Sequence, residues 1–157
     1  MIEPVVKEVH VPVDPDTAFR RFTAELSLWW PRATHSLGQD HCVAVRMEPW
    51  VGGRLYEISD DGTEQVWGSV FAWSPPTGVS FTWHVGRSAE DRLQRIHVQF
   101  RADASGTLVR LEHGDWDIIG DDAAAMWAGY DSGWNGVLAT FSESLSGHAI
   151  GLCPTDS

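Results

Sequence analysis

The chain has 157 residues, of which 43% are hydrophobic and 21% are charged, and it contains nine tryptophans. This length and composition are typical of one globular domain whose core needs no metal or disulfide support. The formal net charge of −11 argues against a nucleic acid or an anionic membrane as a partner, because both attract clustered lysine and arginine.

The N-terminal residues contain no basic segment followed by a long apolar core, and no stretch reaches the roughly 20 apolar residues of a membrane span. We therefore expect a cytoplasmic protein with no membrane partner. The two cysteines, Cys42 and Cys153, have neither the number nor the spacing of a disulfide framework or a zinc site. Both thiols are expected to be reduced.

The first elements predicted along the chain are a strand and a short helical region. Partial alternation over residues 5–13 predicts the strand. Asp14 or Asp16 can cap the helix that follows, and Pro31 ends the helical region because proline disfavours helical geometry in the residue before it. Residues 32–41 are predicted to form a loop.

Strand-like segments separated by turn signals fill the middle of the chain. Residues 79–85 alternate most regularly, with Phe81 and Trp83 on one face and Thr82 and His84 on the other. The segments on either side of Pro75-Pro76 should pair antiparallel. The predicted strands are residues 42–48, 54–59, 65–73, 79–85, 95–101 and 107–113.

Residues 121–145 predict a long closing helix. Large apolar side chains recur at steps of three and four, which gathers them into one stripe: Trp127, Tyr130, Trp134, Val137, Leu138 and Phe141. Asp121 and Asp122 place negative charge where the helix dipole favours it, and Gly147 is expected to end the helix. Gly129, Gly133 and Gly136 each cost about 1 kcal/mol relative to alanine, so they are expected to provide close packing or space for a ligand.

The order of these elements predicts an α+β domain. A strand and a helical region precede about six antiparallel strands and a long amphipathic helix, which must be covered by the sheet. A sheet that curves around the helix would leave an apolar cavity between them.

Several short motifs occur in order along the chain: Trp29-Trp30-Pro31, Gly52-Gly53-Arg54, Gly68-x-Val70, Pro75-Pro76, Thr82-Trp83, Gly106-Thr107, His113-x-Asp115 and Gly133-Trp134-Asn135-Gly136-x-Leu138. Together they resemble the START-like (SRPBCC) superfamily, and within it the subfamily named after the activator of Hsp90 ATPase homologue 1. The resemblance implies one START-like domain over residues 1–147 and a C-terminal tail over residues 148–157.

The resemblance also implies the helix-grip fold of START-like and Bet v 1-like proteins. In this fold a curved antiparallel sheet of six to seven strands wraps around a long C-terminal helix, with short helices after the first strand. Relatives bind lipids, polyketides, hormones or other apolar molecules, and some cyclise polyketides. The chain departs from the family in the acidic run Gly114-Asp115-Trp116-Asp117. Members that stimulate Hsp90 normally have an additional N-terminal domain, which is not among these 157 residues, so co-chaperone activity is not expected.

The candidate ligand-binding residues are large side chains on the predicted strands and the closing helix, because pockets are mostly apolar with a few placed polar groups. His113 shares an apolar strand face with Val109 and Leu111, so it is either a buried, hydrogen-bonded histidine or an acid-base group. The full candidate set is Tyr56, Trp67, Phe81, Trp83, Val98, His113, Trp127, Tyr130 and Trp134.

Other polar groups are interpreted structurally. Arg46, Glu48, His84 and His97 lie opposite the apolar strand positions, so solvent exposure is expected unless the polar face lines the cavity. The residues His35, Asp40 and His41 match no zinc pattern, so neither a metal nor a cofactor is predicted. The acids at 115, 117, 121 and 122 are expected to cap the last helix or to be solvated.

Three functions are compatible with these features. Binding of a small hydrophobic or aromatic ligand without assigned catalysis is favoured, because aromatic residues are abundant and no catalytic constellation is recognisable. A cyclase-like or hydrolase-like enzyme using His113 is the first alternative. The second is an interaction protein, either an Hsp90 cofactor or a homodimer, in which Trp50, Trp73 or Trp116 forms the contact.

Overall fold

The computed structural model of the protein describes residues 2–32, 34–85 and 93–150, the last four of these by their backbone alone. Two α-helices, α1 (Pro15–Phe22) and α2 (Ala123–Ile150), are accompanied by short 3-10 helices at Leu26–Leu28, Gln39–His41 and Trp116–Ile119. The strands are β1 (Val5–Val11), β2 (Cys42–Met47), β3 (Arg54–Ser59), β4 (Glu64–Ser74), β5 (Gly78–Trp83), β6 (Gln94–Asp103) and β7 (Gly106–His113).

The seven strands form one antiparallel sheet in the order β1-β7-β6-β5-β4-β3-β2. The sheet curls into a half-barrel, and α2 packs in its concave side. This is the helix-grip fold, and it confirms the predicted α+β architecture, the long C-terminal helix and the short helices after the first strand. None of the helices in the described part of the chain combines the length and the apolarity that a membrane crossing requires.

Alternation of side chains along the strands builds the core. On β6, Ile96, Val98 and Phe100 are buried while the residues between them are exposed, and β7 buries Val109 and Leu111 in the same way. A strand with a period of two places these residues on one face. That face meets the apolar stripe of α2, where Trp134, Val137, Leu138, Phe141 and Leu145 are all buried.

Asp14 is the residue that caps α1. Its side chain accepts a hydrogen bond from the Thr17 backbone N–H at 2.9 Å, and Pro15 occupies the first turn. Hydrogen bonding from Thr17 lowers the pKa of the Asp14 carboxyl. Of the two aspartates predicted as possible caps, Asp14 is the one that performs this role.

Two strand residues depart from the predicted alternation. His84 is buried, not exposed, because β5 ends at Trp83 and the alternation ends with it. The backbone N–H of His84 donates instead to the carbonyl of Trp67 at 2.6 Å. A period of two along residues 42–48 would place Val43 on the buried face of Val45, but Val43 is 52% exposed because the pairing of β2 with β3 shifts register between Cys42 and Ala44.

The closing helix extends beyond its predicted end. It continues through Gly147 to Ile150, so the predicted domain boundary at residue 147 falls inside α2. A glycine within a helix weakens it by only about 1 kcal/mol, so the helix can pass through Gly147. Residues 151–157, which include Cys153, lie outside the described residues.

Candidate functional site

A pocket of about 380 Å³ opens between α2, β5 and the loop that precedes β2. Its volume lies within the range of about 300–1,000 Å³ that small-molecule sites occupy. The lining residues described are Trp30, Thr34, His35, Ser36, Trp83, Met126, Gly129, Tyr130, Gly133, Trp134 and Val137. None of these eleven residues has an aspartate, glutamate, lysine or arginine side chain.

Aromatic rings in mutual contact form one wall of the pocket. The ring centroids of Trp83 and Trp134 are 5.6 Å apart, those of Trp83 and Tyr130 are 6.2 Å apart, and Trp30 meets Trp134 edge-on at 6.1 Å. Such separations are typical of favourable aromatic pairs. Contacts among these rings therefore hold this wall in place.

The indole N–H groups of this wall are all engaged within the protein. Trp30 Nε1 donates to the carbonyl of His35 at 2.7 Å, and Trp83 Nε1 donates to the Tyr130 hydroxyl at 3.0 Å. Trp134 Nε1 donates to Nδ1 of His113 at 3.1 Å. The three tryptophans therefore present apolar ring surface to the pocket.

His113 lies behind the aromatic wall. Its side chain is fully buried and is not among the residues that line the pocket. Its ring lies 4.6 Å from that of Trp116 and 4.9 Å from that of Tyr130. Because an indole N–H can only donate, Nδ1 of His113 must accept from Trp134, which places the ring hydrogen of the neutral imidazole on Nε2. This geometry orients Trp134.

The opposite wall is formed by Thr34, His35 and Ser36, which lie in the loop between the 3-10 helices at Leu26–Leu28 and Gln39–His41. The carboxylate of Glu57, which is fully buried on β3, holds this loop. Its Oε1 accepts from the N–H of Leu37 at 2.7 Å, and its Oε2 accepts from the N–H of Gly38 at 2.8 Å. Oε1 also accepts from Nε1 of Trp67 at 2.8 Å, so one side chain connects the loop to the aromatic core.

The helix side of the pocket is lined by glycines as well as rings. A methyl group added at Gly129 would meet no atom within 4 Å, and one added at Gly133 would lie 3.8 Å from Nε2 of His35. These glycines therefore leave open space beside Tyr130 and Trp134.

The predicted ligand-binding residues fall into three groups. Trp83, Tyr130 and Trp134 line the pocket. Trp67 lies one layer behind them, 5.2 Å from Trp30 and 5.7 Å from Trp83. The remaining predicted residues are not among those that line the pocket: Tyr56, which stacks under the guanidinium of Arg54, Phe81 and Val98 in the core, His113, and Trp127, which donates to the carbonyl of Glu3.

Sequence reasoning does not identify the loop residues of the pocket. His35 is considered there only as a metal ligand, and Thr34 and Ser36 have no periodic signal because they lie in a loop. Met126 could have been found, since it lies four residues before Tyr130 on the same helix face, and Val137 belongs to the predicted apolar stripe but is not among the predicted ligand-binding residues. No group of three or more potential metal ligands occurs among the described residues.

Other candidate groups are structural or exposed. Burial raises the pKa of the Cys42 thiol, and the nearby Glu57 carboxylate adds to this effect, so Cys42 is a poor nucleophile. Trp116 was considered for an exposed contact, but it is buried against His113. Trp73 packs edge-on against Phe19, whereas Trp50 remains 54% exposed.

The acidic residues after β7 have specific partners. Asp115 makes two hydrogen bonds to the guanidinium of Arg95, at 2.8 and 2.9 Å, and these lower the pKa of its carboxyl. Asp117 accepts from the backbone N–H of Ile2 at 3.1 Å. Arg46 and His97 are exposed as expected, and Glu48 forms an ion pair with Arg54.

The curled sheet, the long helix across it and the aromatic pocket between them define a START-like helix-grip domain. The family model described as activator of Hsp90 ATPase homolog 1-like protein matches residues 12–146. The chain belongs to this family. No curated protein matches it at a significant level.

Several solved structures are similar to this chain. An anthrahydroquino-γ-pyrone synthase, Txn09, is 31% identical, with a TM-score of 0.61 and coverage of 90% of this chain and 96% of that one. The AHSA1-like protein from Aeromonas hydrophila is 19% identical, with a TM-score of 0.68 and coverage of 98% and 99%. The Aha1 dimer from Colwellia psychrerythraea is 16% identical, with a TM-score of 0.67 and coverage of 92% and 96%.

Proposed function

We propose that the protein binds a small hydrophobic or aromatic molecule in the pocket between α2, β5 and the loop that contains Thr34, His35 and Ser36. The observation that supports this most directly is the wall formed by Trp30, Trp83, Tyr130 and Trp134, whose indole N–H groups are already engaged. A ligand at this wall meets ring surface, and burying apolar ligand surface against it is favourable.

The electrostatics of the pocket support an uncharged ligand. No lining residue among those described has an ionised carboxylate, ammonium or guanidinium group. A charged molecule would therefore lose its hydration without gaining an ion pair, which is costly in an apolar site. The protein's net charge of −11 also disfavours anions at long range.

Gly133→Leu should block ligand binding and leave the fold intact. The new Cβ fits at ordinary contact distance, 3.8 Å from Nε2 of His35, and the rest of the side chain then occupies the pocket. Titration with an apolar aromatic probe, followed by tryptophan fluorescence, should show a loss of affinity of about tenfold or more, as expected when about 1.4 kcal/mol or more of contact is lost.

Ala128→Leu is the matched control for Gly133→Leu, because Ala128 is exposed on the same helix and outside the pocket lining. It should bind the probe as the wild type does. Gly133→Leu should melt at or above the wild-type temperature, since leucine is a much better helix former than glycine, whereas Ala128→Leu should melt close to it, since alanine and leucine are both strong helix formers. Unchanged binding in Gly133→Leu would place the ligand site elsewhere.

A second candidate function is a cyclase-like reaction on a bound aromatic molecule. It is supported by the 31% identity to Txn09, which is described as an anthrahydroquino-γ-pyrone synthase. Incubating the protein with an anthrahydroquinone precursor and following γ-pyrone formation by liquid chromatography tests this function. We expect product above the protein-free rate if the chain is a catalyst, and none if it only binds.

A homodimer is a further proposal for the chain, through the turn between β2 and β3. Trp50 and Val51 are 54% and 63% exposed there, and a large aromatic residue at a surface tip is suited to a protein contact. Light scattering would give the oligomeric state, and a monomer at high concentration would exclude this contact.

A further inference from the structure

The polar side chains on the loop side of the pocket are mostly satisfied within the loop. The Ser36 hydroxyl donates to the carbonyl of Arg32 at 2.6 Å and accepts from the N–H of Gln39 at 2.8 Å. The hydroxyl of Thr34 lies 2.7 Å from Nδ1 of His35. Both hydroxyls therefore support the loop, and neither is positioned as a nucleophile.

His35 differs from the other polar groups of the pocket. Its Nδ1 is engaged by Thr34, its ring lies over Gly133 and Gly136 of α2, and it is a lining residue. No described residue forms a hydrogen bond to its Nε2. The histidine ring therefore lies close to the helix, because a methyl group added at Gly133 would be in ordinary contact with Nε2, at 3.8 Å.

The orientation of the Thr34 hydroxyl determines whether Nε2 of His35 is a hydrogen-bond donor or an acceptor. If the hydroxyl donates to Nδ1, then Nε2 has the ring hydrogen and donates; if it donates to the carbonyl of Pro31, 3.4 Å away, then Nε2 accepts. A hydroxyl group on the ligand can pair with Nε2 in either case, because it both donates and accepts. A carbonyl or an ether oxygen can pair with only one of the two tautomers.

We propose that His35 is the specificity-determining residue of the pocket and that it selects hydroxylated aromatic ligands, such as phenols and naphthols. The ring of the ligand lies against Trp83, Tyr130 and Trp134, and its hydroxyl forms a hydrogen bond to Nε2 of His35. This inference rests on the proposed ligand-binding function. It adds the chemical class of the ligand and the residue that recognises it.

The test uses two probes of nearly equal shape, 2-naphthol and 2-methylnaphthalene, titrated by tryptophan fluorescence. The wild type should bind 2-naphthol about three- to tenfold more tightly, which is the ratio expected for one neutral hydrogen bond. His35→Phe keeps a flat ring in the loop but has no nitrogen, so the ratio should fall to about one. In His35→Gln, which restores a polar side chain, the preference should return in part.

Affinity for 2-methylnaphthalene serves as the internal control, and it should change less than about twofold in His35→Phe. Thermal melts of the variants show that the loop change leaves the fold intact. A preference for 2-naphthol that survives in His35→Phe would overturn the assignment of His35, but it would still support ligand binding in the pocket. If neither probe binds to the wild type, both this inference and the proposed function are wrong.

Discussion

Glu57→Ala should lower the free energy of unfolding by about 3–5 kcal/mol, because it leaves three buried or partly buried N–H donors without their acceptor. Those donors are the backbone N–H groups of Leu37 and Gly38 and the indole N–H of Trp67. Each orphaned buried donor costs about 1–3 kcal/mol, and the loop recovers part of this by binding water. Urea unfolding followed by circular dichroism measures the change.

The same change should weaken binding in the pocket, because Glu57 holds the loop that contains His35. Glu57→Gln keeps the shape and one acceptor oxygen, so its loss of stability should be the smaller of the two. Glu64→Ala is the matched control, since Glu64 is an exposed carboxylate at the start of β4 whose partner is Arg54. A loss below about 1 kcal/mol in Glu57→Ala would contradict the role assigned to this carboxylate.

Gly68→Ala should destabilise the sheet by about 3 kcal/mol or more. A methyl group at Gly68 would overlap the carbonyl oxygen of Thr82 and lie 2.6 Å from its carbonyl carbon. These are backbone atoms, and Thr82 is further held because its hydroxyl accepts from the N–H of Ser69 at 2.9 Å. The pairing of β4 with β5 must therefore shift to admit the methyl group.

Gly129→Ala is the control for Gly68→Ala, because it adds the same group where nothing lies within 4 Å. On helix α2 this change should raise stability by up to about 1 kcal/mol. Thermal and urea unfolding of the two variants should thus move in opposite directions. Similar stability of Gly68→Ala and the wild type would mean that the strands separate more easily at Thr82 than the structure indicates.

The fold could be predicted because its elements have regular periods. Ile96, Val98 and Phe100 show a period of two, and the stripe of α2 recurs at three and four residues, so the buried face of each element is readable from the sequence. The motifs shared with START-like proteins then supply the arrangement. Where the period breaks, as at Val43 beside a register shift and at His84 beyond the end of β5, prediction of burial fails.

The pocket could be predicted only on its helix and strand side. Trp83, Tyr130 and Trp134 follow from periodicity, whereas His35 lies in a loop whose position depends on a carboxylate 22 residues away in sequence. The burial of Glu57 could not be predicted from alternation along β3, because Leu55, Tyr56 and Glu57 are all buried beside an irregularity in the pairing with β4. A long-range hydrogen bond of this kind has no signature in a single sequence.

The glycines on α2 make the pocket adjustable in size. Because Gly129 and Gly133 expose helix backbone to the pocket, a single methyl or isopropyl group there reduces the pocket volume while the aromatic wall and the His35 loop keep their own contacts. Alanine and valine substitutions at these two positions would therefore give a series of variants with progressively smaller pockets. Each larger substituent would exclude ligands with fewer rings than the one before it. Related proteins could therefore differ in the size of the ligand they bind through a single substitution at one of these two positions.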